Sequence, residues 1–255
     1  MSGQAARRAL PKGIGVNLRA HGGLIALAVL LAFNIAFTPN FLQLQTLFVN
    51  ISQVATIAIV AMGMTLVIAT GGIDLSVGAV MALAGALAPL IFLSGFGVEY
   101  PLLGLAASIA LPLAAAALCG LFNGAMVAYL GVQPIIATLI LFISGRGVAQ
   151  VLTNGNLQTF SNPGFSYIGT GRILGLPFQG WVALAIAVAL FWLVNRTIWG
   201  RYLLAVGGNE RAARLSAGPV RRVKIGAYVI CATLAGFAGM IVVAINSASD
   251  AARNG

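Results

Sequence analysis

Few side chains in this sequence can do chemistry, and Asp74 stands out among them. It is the sole acidic residue before Glu99, and it follows the adjacent glycines Gly71 and Gly72. A carboxylate placed there suits a helix N-cap, because its oxygens accept hydrogen bonds from the orphan amides of a first turn. So close to apolar sequence, it must be capped, paired or turned to water. A capped re-entry into the membrane accounts for it, and so does a broken helix lining a solute path; the two are compatible. Enzymatic chemistry finds less to work with. The lysines are Lys12, before Gly13, and Lys224, before Ile225, so no phosphate-binding loop ending in Lys-Ser or Lys-Thr is present and no ATPase motif lies in this chain. There is no GxSxG, and the single histidine, His21, sits at the edge of the first apolar run, which leaves a serine hydrolase without its base. Cys119 and Cys231 are far apart with no CxxC or Cys/His spacing. They read as small buried residues, and no metal site can be assembled from them. The expectation is a chain that is not an enzyme and holds no cofactor or metal.

The elements that must position Asp74 are apolar. An apolar run begins near Leu47 and ends near Ser94, interrupted by Ala69-Thr70-Gly71-Gly72-Ile73-Asp74-Leu75-Ser76-Val77-Gly78. As one helix it would reach roughly 70 Å, more than twice a bilayer's hydrocarbon core, so it must break. Gly71 and Gly72 are the cheapest place to do so, with Ser76 leading into the next helix. The whole chain is 60% hydrophobic and 7% charged, against about a quarter charged in soluble domains. The fold class is therefore all-α: a polytopic integral membrane protein of about seven transmembrane helices, with a broken-helix element near residues 69–78. The spans read as 22–37, 47–70, 76–94, 102–129, 132–152, 178–195 and 225–247. They form one domain over 22–247, between a basic N-terminal segment (1–21) and a short tail (248–255).

The net charge of +10 invites a nucleic-acid reading, but the cations sit in the gaps between apolar runs rather than among aromatics on a soluble face. No nucleic-acid partner is expected. With the N-terminus inside, Arg7, Arg8, Lys12 and Arg19 lie within, as do Arg196, Arg201, Arg211, Arg214, Arg221, Arg222 and Lys224. Only Arg172 and Arg253 fall outside, and Arg146 lies within a span. That asymmetry follows the positive-inside rule and predicts a cytoplasmic N-terminus. No small-x-small cleavage site follows the basic segment before Thr38-Pro39-Asn40, so the first span is read as uncleaved.

Two loops carry further signals. The outer loop, 153–177, is polar and irregular, with Asn154-Gly155-Asn156 and Ser161-Asn162-Pro163-Gly164; it reads as a connection with two turns or a docking surface. The inner loop, 196–224, contains Asn209 as an N-cap, Glu210 in the first turn, Arg211, and Arg214 four residues beyond Glu210. This predicts a short capped helix ended by Gly218-Pro219, either attracted to anionic lipid or a contact helix for a cytoplasmic subunit. Within the spans, Gly120-Leu121-Phe122-Asn123-Gly124 and Ala235-Gly236-Phe237-Ala238-Gly239 have the spacing of close helix packing. Pro134 begins a helix that carries Thr138 one turn on. Arg146 lies roughly 18 Å along it, where it must snorkel, pair or face water.

Three of these segments together resemble the membrane permease subunits of ATP-binding-cassette importers for sugars, the ribose, xylose and galactofuranose type. They are Ala69 to Gly78; Gly120 to Gly124 with Pro134-Ile135-Ile136-Ala137-Thr138-Leu139 and Arg146-Gly147; and Gly207-Gly208-Asn209-Glu210-Arg211-Ala212-Ala213-Arg214-Leu215-Ser216. The likeness extends from about Leu24 to Ile245, and its first segment is the most specific. It implies a multi-pass protein of the bacterial inner membrane, with a periplasmic loop at 153–177 and a cytoplasmic coupling loop at 196–224. It implies a periplasmic sugar-binding protein, a second permease chain (identical or not), and a cytoplasmic ATPase subunit that binds ATP and magnesium. By the same resemblance Asp74, Asn123, Thr138 and Arg146 are candidates for the substrate path, and Asn209, Glu210, Arg211 and Arg214 for coupling to the ATPase. Two features depart from the pattern. Ala217-Gly218 stands where the family tends to have glycine and a branched aliphatic residue, and the chain ends at Gly255 where such permeases continue, as if truncated. The alternatives are a branched-chain amino acid type permease, an ATP-independent secondary carrier, and a non-transporting remnant.

Overall fold

The computed structural model describes residues 18–156 and 162–253; the whole segment before Leu18, with Arg7, Arg8 and Lys12, and Ser161 of the outer loop lie outside the described residues. In chain order the elements are α1 (Leu18–Phe37), α2 (Leu44–Ala69), α3 (Val77–Phe92), α4 (Gly95–Glu99), α5 (Pro101–Ala128) and α6 (Pro134–Leu152). There follow α7 (Pro163–Thr170), β1 (Arg172–Ile173), β2 (Leu176–Pro177), α8 (Phe178–Arg196), α9 (Ile198–Gly208), α10 (Glu210–Leu215) and α11 (Val220–Arg253). Each of the seven apolar runs is largely helical. Five are long and apolar enough to cross a membrane: α2, α5, α6, α8 and Val220–Asn246 of α11; Gly22–Phe37 and Val77–Phe92 are shorter.

The chain divides into two compact units, residues 1–47 and 48–255. The first contains α1, where Asn34 donates back to the Leu30 carbonyl (2.9 Å) and accepts from the Thr38 hydroxyl (3.1 Å), so its polar groups are satisfied locally. The second is built around α11. In the most apolar 18-residue stretch of Val220–Asn246, 56% of the residues are buried, against 33% or less in the corresponding stretches of the other candidate spans. The reason lies in its small residues and those facing it. A Cβ on Gly120 would stand 2.7 Å from the Val229 Cα, one on Gly124 2.8 Å from the Ile225 Cα, and one on Gly63 3.0 Å from the Cys231 Cα. Backbones this close leave no room for side chains, so the two small-residue motifs do serve close packing, of α5 on α11 and of Gly236 on Ala116 and Ala84.

Several expectations require correction. Asp74 is not the N-cap of the helix it precedes: α3 starts at Val77 after Ser76, whose side chain makes no capping bond. The run expected to end at Ser94 ends at Phe92, and Ser94 instead caps the short α4 by accepting from the Gly97 amide. From Asn162 onward the outer loop is not irregular. Asn162 caps α7 by accepting from the amides of Gly164 (2.9 Å) and Phe165 (3.1 Å), and the Phe165 side chain is buried against Met240 and Ala244. Arg172 pairs with Pro177 and Ile173 with Leu176 in a two-stranded hairpin, a small departure from an all-α fold. Its turn residues Leu174 and Gly175 both have positive φ (53° and 81°), the twist that a two-residue hairpin requires. The inner loop holds a second helix, α9, immediately before the expected one. Finally, α11 starts at Val220 and continues to Arg253, through the stretch read as a tail.

Candidate functional site

The break between α2 and α3 is made by two glycines with different physical roles. Gly71 has φ +78° and donates to the Ile68 carbonyl (2.9 Å), while Gly72 donates to the Val67 carbonyl (3.1 Å). This pair of bonds, with a left-handed residue between them, is the Schellman ending of a helix. Gly72 has an ordinary φ but no space: a Cβ there would lie 2.7 Å from the Tyr228 hydroxyl oxygen and 3.1 Å from Val67 Cγ1. Residues 72–76 then run without helix into α3.

Asp74 is turned inward from this stretch. Its Oδ1 accepts from the Ser76 amide (2.9 Å) and from the Ser76 hydroxyl (2.6 Å), and Ser76 Oγ in turn accepts from Asn123 Nδ2 of α5 (2.9 Å). Asp74 is 1% exposed, Ser76 and Asn123 not at all. Two helices thus meet across the break through a polar relay inside a mostly apolar bundle. From α11, Tyr228 donates to the Ile73 carbonyl (3.3 Å). The Cys231 thiol, also fully buried, faces the Asp74 carboxylate, although no hydrogen bond reaches Oδ2. Asp74 Oδ2 and Asn123 Oδ1 are both buried without a hydrogen-bond partner. Leaving such atoms unpaired costs on the order of 1–3 kcal/mol each, so they are acceptors that a hydroxyl or a water would satisfy.

Of the four substrate-path candidates, hydrogen bonds connect two. Asp74 and Asn123 share the relay with Ser76. Thr138 is buried, but its hydroxyl donates to the Pro134 carbonyl of its own helix (2.9 Å). Arg146 lies two turns further along α6, is exposed, and enters no ion pair among the described residues.

The coupling candidates sit on α10 as expected. Asn209 accepts from the Ala212 amide (3.0 Å), and Glu210 pairs with Arg214 (3.0 Å). Arg211 is exposed on the same helix. A closer partner had no helical spacing to announce it: Lys224, at the start of α11, reaches Glu210 Oε2 at 2.7 Å with its own side chain only 15% exposed. That hydrogen bond holds the Glu210 carboxyl below its usual range, with Arg214 adding to the effect against partial desolvation. Between α10 and the break lies a cavity of about 580 Å³, whose walls include Thr70, Gly71, Gln133, Gly207, Glu210 and Lys224. Gly207 of α9 is seated against the carbonyl end of α2 at Ala69, so close that no side chain fits.

Sequence reasoning missed Lys224, Tyr228, Cys231 and Gly207. Only Tyr228 offered a signal, a phenol in an apolar helix, since a buried hydroxyl needs a partner.

Residues 46–253 match the family described as Branched-chain amino acid transport system / permease component. The chain is 42% identical to the galactofuranose transporter permease protein of Escherichia coli (strain K12), covering 91% of this chain and 68% of that protein. It is equally identical, at 42%, to the ribose import permease protein of the same organism, over 91% of this chain and 72% of that one. It is 34% identical to the fructose import permease protein of Bifidobacterium longum (strain NCC 2705), over 91% and 67%. No solved structure matches significantly.

Proposed function

This chain belongs to the branched-chain amino acid transport system / permease component family, and from that membership we propose its place in a larger machine. It is the transmembrane permease subunit of an ATP-driven importer and forms the path for a monosaccharide across the bacterial inner membrane. The observation that carries this reading is the likeness to sugar import permeases, in a matched stretch that includes both the break and α10. An amino acid cargo is disfavoured because the relatives at 42% identity are named for sugars.

In this proposal the N-terminus and α10 face the cytoplasm, and the α7 and hairpin segment faces the periplasm. A cytoplasmic ATPase subunit, which binds ATP and magnesium, docks on α10 through Asn209, Glu210, Arg211 and Arg214. A periplasmic binding protein delivers the sugar, and a second permease chain completes the path. The permease's own contribution is differential affinity, since the path must bind sugar less well when open inward. The unpaired oxygens of Asp74 and Asn123 suit sugar hydroxyls, which are hydrogen-bond donors.

The test is uptake of radiolabelled ribose into vesicles containing the chain with its ATPase and binding protein, compared with the E210Q/R214Q double variant. ATP-dependent uptake that falls with loss of ATPase binding in the variant supports the reading. Uptake that needs no ATP and is unchanged in the variant refutes it.

A further inference from the structure

We infer that one face of α11, carrying Lys224, Tyr228 and Cys231, positions the Asp74 break according to where α10 stands. The inference builds on the reading of α10 as the contact helix of a partner, but the contacts that carry it are internal to this chain. Lys224 and Tyr228 are four residues apart and Tyr228 and Cys231 three, so all three lie on one face over about 10 Å of helix. At one end Lys224 Nζ holds Glu210 of α10 at 2.7 Å. One turn on, Tyr228 donates to the carbonyl of Ile73, the residue before Asp74, and fills the space left by Gly72. At the far end Cys231 faces the Asp74 carboxylate itself.

Alternative routes are limited by geometry. The cavity of about 580 Å³ separates α10 from the break, so a displacement of α10 reaches residues 72–76 around that space. It travels through α9, where Gly207 abuts Ala69, or through α11. The α11 route acts on both flanks of Asp74. Tyr228 grips the Ile73 side directly. Gly120 and Gly124 seat α5 against Tyr228, Val229 and Ile225, and the residue between those glycines that reaches the other side is Asn123, bonded to Ser76. A shift of the first turns of α11 therefore moves both hydrogen bonds that frame the carboxylate. Tyr228 and Lys224 are positioning residues: neither contacts Asp74 as a hydrogen-bond partner, and each acts through Ile73 or Glu210.

Cys231 provides a native reporter, because it is fully buried in the described arrangement. The experiment follows alkylation of Cys231 by N-ethylmaleimide in the full chain with Cys119→Ser, in membranes, with no sugar or ATP added. E210Q keeps side-chain volume on a partly exposed residue and leaves the core untouched. It is expected to speed alkylation about fivefold, as is K224M, the effect of losing one charge-assisted contact that holds α11 in place. K224R retains the contact and keeps the wild-type rate. R211Q removes one charge from α10 without breaking an ion pair and leaves the rate unchanged. Y228F, which deletes only the hydroxyl, speeds alkylation, and E210Q/Y228F is no faster than Y228F alone because the two contacts act in series. A wild-type rate in E210Q overturns the inference, as does a double variant whose effect is the product of the singles or an R211Q rate equal to that of E210Q. Because the readout uses neither transport nor a partner, it stands or falls separately from the importer reading.

Discussion

Gly72 and Gly71 are adjacent, yet alanine at the two positions should fail for different reasons and to different degrees. At Gly72 the added methyl lies 2.7 Å from the Tyr228 hydroxyl oxygen and 3.1 Å from Val67 Cγ1. Tyr228 is fully buried and cannot swing aside, so accommodating the methyl displaces the phenol and stretches its 3.3 Å bond to Ile73. Overpacking typically costs about 1–3 kcal/mol and a lost hydrogen bond about 1 more, so Gly72→Ala should destabilise by roughly 2–4 kcal/mol. For a chain of this size that corresponds to a fall in melting temperature on the order of 5–15 °C. At Gly71 there is nothing within 4 Å of the added methyl, and the penalty is the left-handed φ of +78° alone, about 1–2 kcal/mol. The assay is thermal unfolding of the detergent-solubilised chain, with Tyr228→Phe completing a double-variant cycle for each glycine. Removing the hydroxyl removes the clashing atom, so Y228F should offset at least about 1 kcal/mol of the Gly72→Ala loss and none of the Gly71→Ala loss. A Gly72→Ala chain as stable as wild type refutes the reasoning, and so does equal coupling of both glycines to Tyr228.

Three further outcomes follow from the α10 region. Ala217 ends α10 at φ +58° in the place that glycine favours, so Ala217→Gly should stabilise the chain by about 1 kcal/mol, seen as a raised melting temperature. Asn209→Ala removes the acceptor of the Ala212 amide and should cost about 1 kcal/mol, read by faster hydrogen exchange across 210–215. Glu210 has a folded-state pKa below its unfolded value, so its pairing with Lys224 stabilises fully above about pH 4.3, the ordinary glutamate value. That contribution fades as pH falls through the lower folded value. The difference in melting temperature between wild type and E210Q should therefore be constant from pH 7 to about pH 5 and shrink below that; a difference that grows with acid contradicts the assignment.

The sequence by itself determined the features that depend on neighbours along the chain. Apolar run lengths against the bilayer's thickness set the helices and forced a break. The paired glycines placed that break at residues 71–72, and Asn209, Glu210 and Arg214 specified a capped helix through bonds spanning three and four residues. The spacing of Gly120 and Gly124 announced a close interface without naming its partner. Local spacing failed where a local partner was absent. Asp74 looked like a cap because the sequence presents it next to a helix start, whereas it folds back onto Ser76 and joins Asn123, 47 residues further from that serine. Thr138 and Arg146 were grouped with them by resemblance; the Thr138 hydroxyl bonds within α6, and Arg146 is exposed. Glu210 finds Lys224 fourteen residues away, and Tyr228 finds Ile73 across 155. Such pairs have no period to read, because they arise when apolar helices pack on α11 and each buried polar group takes the partner that packing brings within reach. Tertiary structure alone decided how the break is held.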